Sequence, residues 1–357
     1  MIALSSLIWL AALLAVPLAW LGPGDRGIGV VAVFSALVLF CVSPLGAVWI
    51  VGLSCLLPPA LQLAERRGWR GPLAGTAVVL VLGVFVSAQL NSGIIWIGGA
   101  FFTLRQLHVI AEWWMGRIAA PSIGAHLRYQ LFLPTLLVGP VHRMPAFDRL
   151  CTRRRWDRVE FLNGAERVLI GAFSTEFVGD RVVANLRGRV GHRLQDAAPF
   201  LHDWALSAAD WVLLFFNFAG MTAMALGIAL MMGIRLEENF NQPWRAKDLL
   251  DFWLRWHISL TNWCRDYVYR PVMALTRSAL AGLFAAMLTI GLWHEISLYY
   301  VLWSFWQVFG ILLNRQIVQP LTNAVPEGVR RGLAPLAILG WLSLAKPAIT
   351  HLAVFVR

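Results

Sequence analysis

Two histidines stand out by their surroundings. His257 lies in Arg255-Trp256-His257-Ile258-Ser259-Leu260, a polar and aromatic stretch between apolar blocks. His294 lies in Gly291-Leu292-Trp293-His294-Glu295, inside an apolar run from about Ser278 to Leu313. Each directly follows a Trp, and 37 positions separate them. The run exceeds the roughly 20 residues that cross a bilayer core. An ionisable group at that depth is costly; it either marks function or is hydrogen-bonded to a neighbouring helix. Imidazole, with an ordinary pKa of about 6.5, accepts a proton at neutral pH. Taking the proton from a hydroxyl as it attacks a carbonyl is one use of such a group; a proton relay with Glu295 in a transporter or flippase is another. Adjacent helix positions do not face each other, so a helical reading pairs Glu295 with Tyr299, four residues on, rather than with His294.

The elements that must position these groups follow from spacing. Asp248–Tyr269 reads as one amphipathic helix. Trp253, Trp256, Leu260, Trp263 and Tyr267 fall on one face, and Arg255, Ser259, Asn262 and Asp266 on the other. Asp251 and Arg255 are four apart in the favourable order for an ion pair. Such a helix suits a membrane interface, with its Trp face toward lipid or other helices and His257 at the edge of that face. Asn239 and Asn241, just before Pro243, are read as ordering a turn.

Composition sets the class. Of 357 residues, 59% are hydrophobic and only 14% charged, against about 25% charged in soluble domains. The chain is therefore expected to be an all-α polytopic membrane protein with about ten or eleven membrane helices and re-entrant segments. The formal charge of +11 and pI ≈ 10.5 fall mostly on loops between apolar blocks, which points to membrane orientation rather than to nucleic acid. Lys occurs only at Lys247 and Lys346, and no basic run interleaved with aromatics is present. Ile2–Trp20 lacks a basic leader and is followed by further apolar spans, so it is read as a retained helix. Ile28–Cys41 and Leu45–Leu63 are either a hairpin or one kinked element. Leu73–Leu90 and Gly93–Leu107 follow as spans. Leu127–Val141, with Pro134 and Gly139-Pro140, is too short to span comfortably and reads as re-entrant.

Val168–Asn185 is a weaker span, Phe200–Gly233 two apolar blocks divided by Asn217-Phe218-Ala219-Gly220, and Leu333–Val356 the last span. Glu65–Arg70, Arg143–Arg158 and Asp248–Arg270 are placed on the cytoplasmic face by their arginines; Arg187–Arg193 falls outside on the same count despite its charge. Arg153-Arg154-Arg155 is either a positive-inside loop or a docking surface for an acidic donor. The four cysteines, Cys41, Cys55, Cys151 and Cys264, form no Cys-x-x-Cys pair, and neither a disulfide framework nor a metal site is expected.

One long stretch resembles the membrane-bound O-acyltransferases, in particular the bacterial branch of alginate O-acetylation and teichoic-acid D-alanylation. The matching residues are Gly233 through Pro243, Asp251-Phe252-Trp253, Arg255 through Leu260, Trp263, Arg265-Asp266-Tyr267-Val268-Tyr269, Pro271 and Gly291-Leu292-Trp293-His294. Earlier echoes are Phe101-Phe102-Thr103, Pro134-Thr135 and Gly139-Pro140-Val141-His142-Arg143. The resemblance covers roughly residues 95–314 of what is read as a single domain. Glu295 stands where the family usually has Gly, and Glu112 where it has Asp. It implies helices around a central passage in a bacterial inner membrane. It also implies an acyl thioester donor, acetyl-CoA or an acyl carrier protein, with no bound cofactor, and a glycan or other hydroxyl acceptor outside. An accessory periplasmic acyltransferase is implied as partner. His294 is expected to be the base and His257 to act on the donor side, with Arg255, Asp266 and Asn262 supporting the donor.

Overall fold

In the computed structural model, which describes residues 2–91, 97–322 and 325–355, every regular element is helical. The chain parses into two compact units. The first comprises Met1–Leu169 and Thr222–Glu237, the second Ile170–Met221 and Glu238–Arg357.

The first unit holds α1 (Ile2–Ala19), α2 (Asp25–Val42), α3 (Pro44–Arg67), α4 (Arg70–Leu90), α5 (Gly99–Trp114), α6 (Ile123–Gln130), α7 (Met144–Arg153) and the start of α8 (Arg158–Ala172). Between α2 and α3 the chain breaks at Ser43, and the two helices pack on each other. The hairpin alternative is thus the one adopted. The first residues of the expected Gly93–Leu107 span lie outside the described residues, and the helix there is α5. At the core are Ile28, Ile50, Ile110, Trp113 and Phe132, all fully buried. Outward-facing residues of α3 and α4 such as Leu56 and Val79 are strongly exposed, as suits helices that present apolar surface to lipid.

The expected re-entrant segment is not a spanning helix. After α6 it forms a 3₁₀ turn over Leu133–Thr135 and then irregular chain to His142, almost wholly buried. Non-helical backbone in an apolar environment must find its partners inside the protein. It does so locally, through Gly139 N–H to the Thr135 carbonyl (3.2 Å), and at longer range through Tyr129 Oη donating to the His142 carbonyl (2.7 Å).

Arg154, in the middle of the Arg triplet, is buried while Arg153 and Arg155 are exposed. Its guanidinium donates to the carbonyls of Gly22 (3.0 Å), Gly24 and Ala19 in the α1–α2 turn and to Met232 (3.2 Å), and stacks over Trp20. Gly27 makes this possible, because a Cβ there would overlap the Ala19 carbonyl oxygen and the Arg154 guanidinium.

The second unit holds α9 (Ala184–Arg193), the greater part of α10 (Pro199–Met231), α11 (Leu249–Arg255), α12 (Ile258–Cys264), α13 (Arg270–Thr276), α14 (Ala279–His294), α15 (Leu298–Leu313), α16 (Gln319–Thr322) and α17 (Glu327–Phe355). Three expectations change here. The weak span Val168–Asn185 is a wide π-type helix over Phe173–Val183 between α8 and α9. The two blocks of Phe200–Gly233 are one continuous helix of 33 residues, α10. The apolar run Ser278–Leu313 is two packed helices, α14 and α15, joined through Glu295–Ser297. Gly291 lets them approach, since a Cβ there would meet Ser304 Oγ at 2.7 Å and the Tyr300 carbonyl at 2.8 Å. The last span runs unbroken through Pro347 as α17.

By length and composition five described helices are able to cross a membrane: α2, α3, α4, α10 and α17. Shorter apolar helices include α14. This is an integral membrane protein.

The Arg154 contacts yield a stability prediction. Arg154→Ala strands several carbonyls at once and should lower stability by ~2–4 kcal/mol, whereas Arg153→Ala, at an exposed position, should change it by less than about 0.5 kcal/mol. Thermal denaturation of both variants in detergent measures the difference; equal melting temperatures would show the clamp to be idle.

Candidate active site

The segment expected to be one amphipathic helix is broken at its histidine. Asp248 caps α11 by accepting from Asp251 N–H (2.7 Å). The helix ends at Arg255, and His257 takes the left-handed conformation, φ 47° and ψ 53°, before α12 begins. A positive φ at a non-glycine residue is sparsely populated and persists where the surroundings hold it.

Asn239 does the holding. Its backbone carbonyl accepts from Ile258 N–H (2.9 Å), and its side-chain Oδ1 accepts from Ser259 N–H (3.2 Å) and from Ser259 Oγ (2.8 Å). The backbone donor identifies the facing amide atom as oxygen. His257 Nδ1, 3.2 Å from the same Oδ1, must then carry the proton, which leaves Nε2 as the basic nitrogen of a neutral ring. Asn241 N–H donates to the Arg255 carbonyl (2.9 Å) and so closes the turn onto α11. The two asparagines therefore order the turn, as expected, and Asn239 also orients a histidine.

Aromatic rings complete the frame. Trp253, Trp256, Leu260 and Trp263 are all buried, so this face packs on protein rather than lipid. His257, only 4% exposed, lies edge-on to Phe218 (4.8 Å) and to Trp293 (5.9 Å). Trp293 is in turn 4.8 Å from the ring of His294, which stacks on Tyr300 at 5.7 Å and 20°. The two histidines thus flank one indole.

His294 is the last residue of α14 and its side chain is solvent-accessible, though densely surrounded by protein; it stands at the end of an apolar helix, not midway along a longer span. Glu295, next to it, is extended rather than helical. The four-residue spacing to Tyr299 therefore has no helix to act through, and no Glu295–Tyr299 hydrogen bond forms among the described residues.

Arg255 is held by Asp251 (2.9 Å) and donates to the Asn241 carbonyl (3.3 Å). Asp266 pairs with Arg265 (3.2 Å) and Arg270 (3.1 Å). Asn262 is half-buried on α12. Arg255 is fastened to the Asn239 turn, while Asp266 sits in its own arginine cluster. Phe218 and Tyr300 were not singled out from sequence. They lie in apolar helices, where an aromatic residue carries no distinguishing signal.

A covalent thiol intermediate has no support at Cys151, whose thiol burial pushes up to about 12; a protonated thiol is a poor nucleophile. Among the described residues no group of His, Cys, Asp or Glu is arranged to hold a metal ion.

The membrane-bound O-acyltransferase family profile matches residues 115–344, and the chain belongs to that family. It is 30% identical over 259 residues to "Probable alginate O-acetylase AlgI" of Pseudomonas aeruginosa, covering 69% of this chain and 48% of that protein. It is 28% identical over 263 residues to the teichoic acid D-alanyltransferase of Streptococcus thermophilus, covering 69% and 63%. With the peptidoglycan O-acetyltransferase of Helicobacter pylori the identity is 29% over 206 residues, covering 54% and 38%. The chain spans about half the length of the relatives it matches.

The Asn239 geometry is directly testable. Asn239→Leu removes the shared acceptor and should destabilise the protein by ~2–3 kcal/mol. Asn239→Asp keeps an acceptor oxygen for the same three donors and should retain a higher melting temperature than the Leu variant. Indistinguishable melting curves for the two would mean that the acceptor atom does not hold the turn.

Proposed function

We propose that this protein is an O-acyltransferase of a bacterial inner membrane. It moves an acyl group from a cytoplasmic thioester, acetyl-CoA or an acyl carrier protein, to a hydroxyl of an extracytoplasmic glycan. The observation that carries the reading is the pair of histidines on either side of Trp293, one locked by Asn239 and the other exposed at the end of α14. The names of the relatives, alginate O-acetylase, teichoic acid D-alanyltransferase and peptidoglycan O-acetyltransferase, agree with acyl transfer to a cell-surface polymer. An accessory periplasmic acyltransferase is the partner this reading calls for.

In the proposed reaction the acceptor oxygen attacks the acyl carbonyl carbon while His294 takes the hydroxyl proton. Collapse of the tetrahedral intermediate breaks the carbon–sulfur bond, and the proton held by His294 passes to the departing thiolate. The products are an ester and a free thiol, with no net proton change. His257, with Nδ1–H fixed on Asn239, presents Nε2 on the donor side. Arg255 and Asp266, with Asn262, support the donor around it. Positioned general-base help of this kind is typically worth ~10²–10⁴-fold in rate.

Single-turnover transfer separates the two histidines. His294→Ala should lose ~10²–10⁴-fold in rate with donor binding retained, because it removes an interaction made only in the transition state. His257→Ala should weaken donor use and keep some turnover. Near-normal transfer by a folded His294→Ala protein would reject the assignment, and activity seen only as gradient-driven solute uptake would favour the transporter alternative.

The same reading places Glu65–Arg70, Arg143–Arg158 and Asp248–Arg270 on the cytoplasmic face. Cysteines introduced in each segment should react with a membrane-impermeant reagent only from the inside; labelling of any of them from outside alone would reverse the orientation.

A further inference from the structure

The first unit contains a second polar centre that the reaction above does not use. Arg105, on α5, is 0% exposed. One of its terminal nitrogens, Nη1, donates to the Tyr129 carbonyl (3.3 Å) and to Thr135 Oγ1 (3.3 Å) in the buried non-helical segment. Among the described residues Nε and Nη2 have no hydrogen-bond partner. These two atoms form one edge of the guanidinium plane, the edge whose parallel N–H groups match the two oxygens of a carboxylate or phosphate.

No carboxylate among the described residues pairs with Arg105. The acids of the neighbouring elements are engaged elsewhere: Asp25 and Asp148 with Arg128, Glu65 with Arg70, and Glu112 with Arg117. His142 lies within electrostatic range of the guanidinium. Its Nδ1 is 3.3 Å from the Pro140 carbonyl, while its buried Nε2 has no hydrogen-bond partner among the described residues. His108 also lies within electrostatic range of His142, and Arg143, a second cation, within range of Tyr129 and His108; Phe132 and Phe147 pack against the His142 ring at 6.2 and 4.5 Å. A buried cation without a counter-charge is among the least favourable arrangements a protein interior can hold.

We propose that the Nε–Nη2 edge of Arg105, with His142 beside it, is a binding site for an oxyanion group, a phosphate or a carboxylate, that supplies the missing counter-charge. The anion is held side-on by two charge-assisted hydrogen bonds. The group is either a free anion or the headgroup phosphate of a lipid, and both present the same pair of oxygens. The inference concerns α5 and the α6–α7 connection alone and stands independently of the acyl-transfer assignment.

The test uses the full chain in detergent and in lipid discs. Thermal stability is titrated with inorganic phosphate and with acetate, against chloride at matched ionic strength, for wild type, Arg105→Lys and Arg105→Gln. Discs of phosphatidylglycerol are compared with discs of phosphatidylcholine. A saturable stabilisation by phosphate or acetate, weakened at least about tenfold in Arg105→Lys and abolished in Arg105→Gln, is expected; the loss of a single hydrogen bond to a charged group corresponds to about that factor.

Stabilisation that depends on Arg105 but arises only in phosphatidylglycerol discs supports the site with a lipid as its source. Equal responses of wild type and Arg105→Gln, or no response in either arm, overturn the proposal. Should the Arg105 variants fail to fold, equilibrium dialysis of labelled phosphate and labelled acetate with wild type and His142→Gln decides for a free anion. One saturable equivalent, weakened in the variant, supports the site; its absence, together with equal stability of wild type in the two kinds of disc, overturns it.

Discussion

Backbone polar groups buried away from water must find partners within the protein, so each buried departure from helix needs its own. In this protein several of the departures are answered by single polar side chains that are buried or half-buried. Arg154 supplies the α1–α2 turn with donors for the carbonyls of Ala19, Gly22 and Gly24. Glu65 Oε1 collects Arg70, the Trp113 indole and the Ala120 N–H around the end of α3. Arg105 reaches the Tyr129 carbonyl where the chain leaves α6. Asn239 collects three donors where α11 gives way to α12. Each device is a single charged or amide-bearing side chain, close to fully used on the side that faces the break, which is what makes an irregular segment affordable in such a setting.

The same constraint explains why the candidate active site lies at breaks and not along helices. A histidine within a regular helix has its backbone already paired and its ring direction set by the helix. At position 257 the left-handed residue frees the chain to turn, and the amide of Asn239 sets the ring through Nδ1. At position 294 the helix simply stops, and the following extended residues leave the ring exposed against Tyr300. Both histidines are thereby presented by chain termination, and Trp293 between them belongs to a regular helix that fixes their separation.

Features carried by neighbours in sequence were legible in it. The Trp-His pairs, the polar turn before Pro243 and the apolar blocks are local patterns, and they led to the family and to an all-helical membrane protein. Features that depend on partners far along the chain were not. Nothing within a few residues of His257 is a Gly or Pro, so the helical period of Asp248–Tyr269 reads unbroken; the break is imposed by Asn239, 18 to 20 positions earlier. The run through His294 reads as one span because Glu295-Ile296-Ser297 is a weak breaker by composition. The opposite error occurs at Asn217–Gly220, where polar and small residues suggest a loop inside what is a continuous helix. There Asn217 donates to Asp180 (2.9 Å), and Gly220 is small because the Gly171 carbonyl lies 2.7 Å from where its Cβ would be. Small residues in membrane helices more often record close packing than flexibility.

The unequal settings of the two histidines have a consequence for the proposed chemistry. A ring held by an amide hydrogen bond and buried among aromatic rings loses rotational freedom before any substrate arrives, so His257 offers one nitrogen in one direction. That is suited to a partner which always arrives from the same side, as a thioester made in the cytoplasm does. His294 is held by its helix, by stacking on Tyr300 and by the edge of Trp293, and no amide orients its ring as Asn239 orients His257 among the described residues. In the proposed reaction such an accessible ring would take its proton from the acceptor hydroxyl. Selectivity for the donor would then be written into the rigid turn around Asn239, and selectivity for the acceptor into the residues beside His294, where Glu295 places a carboxylate on the α14–α15 connection.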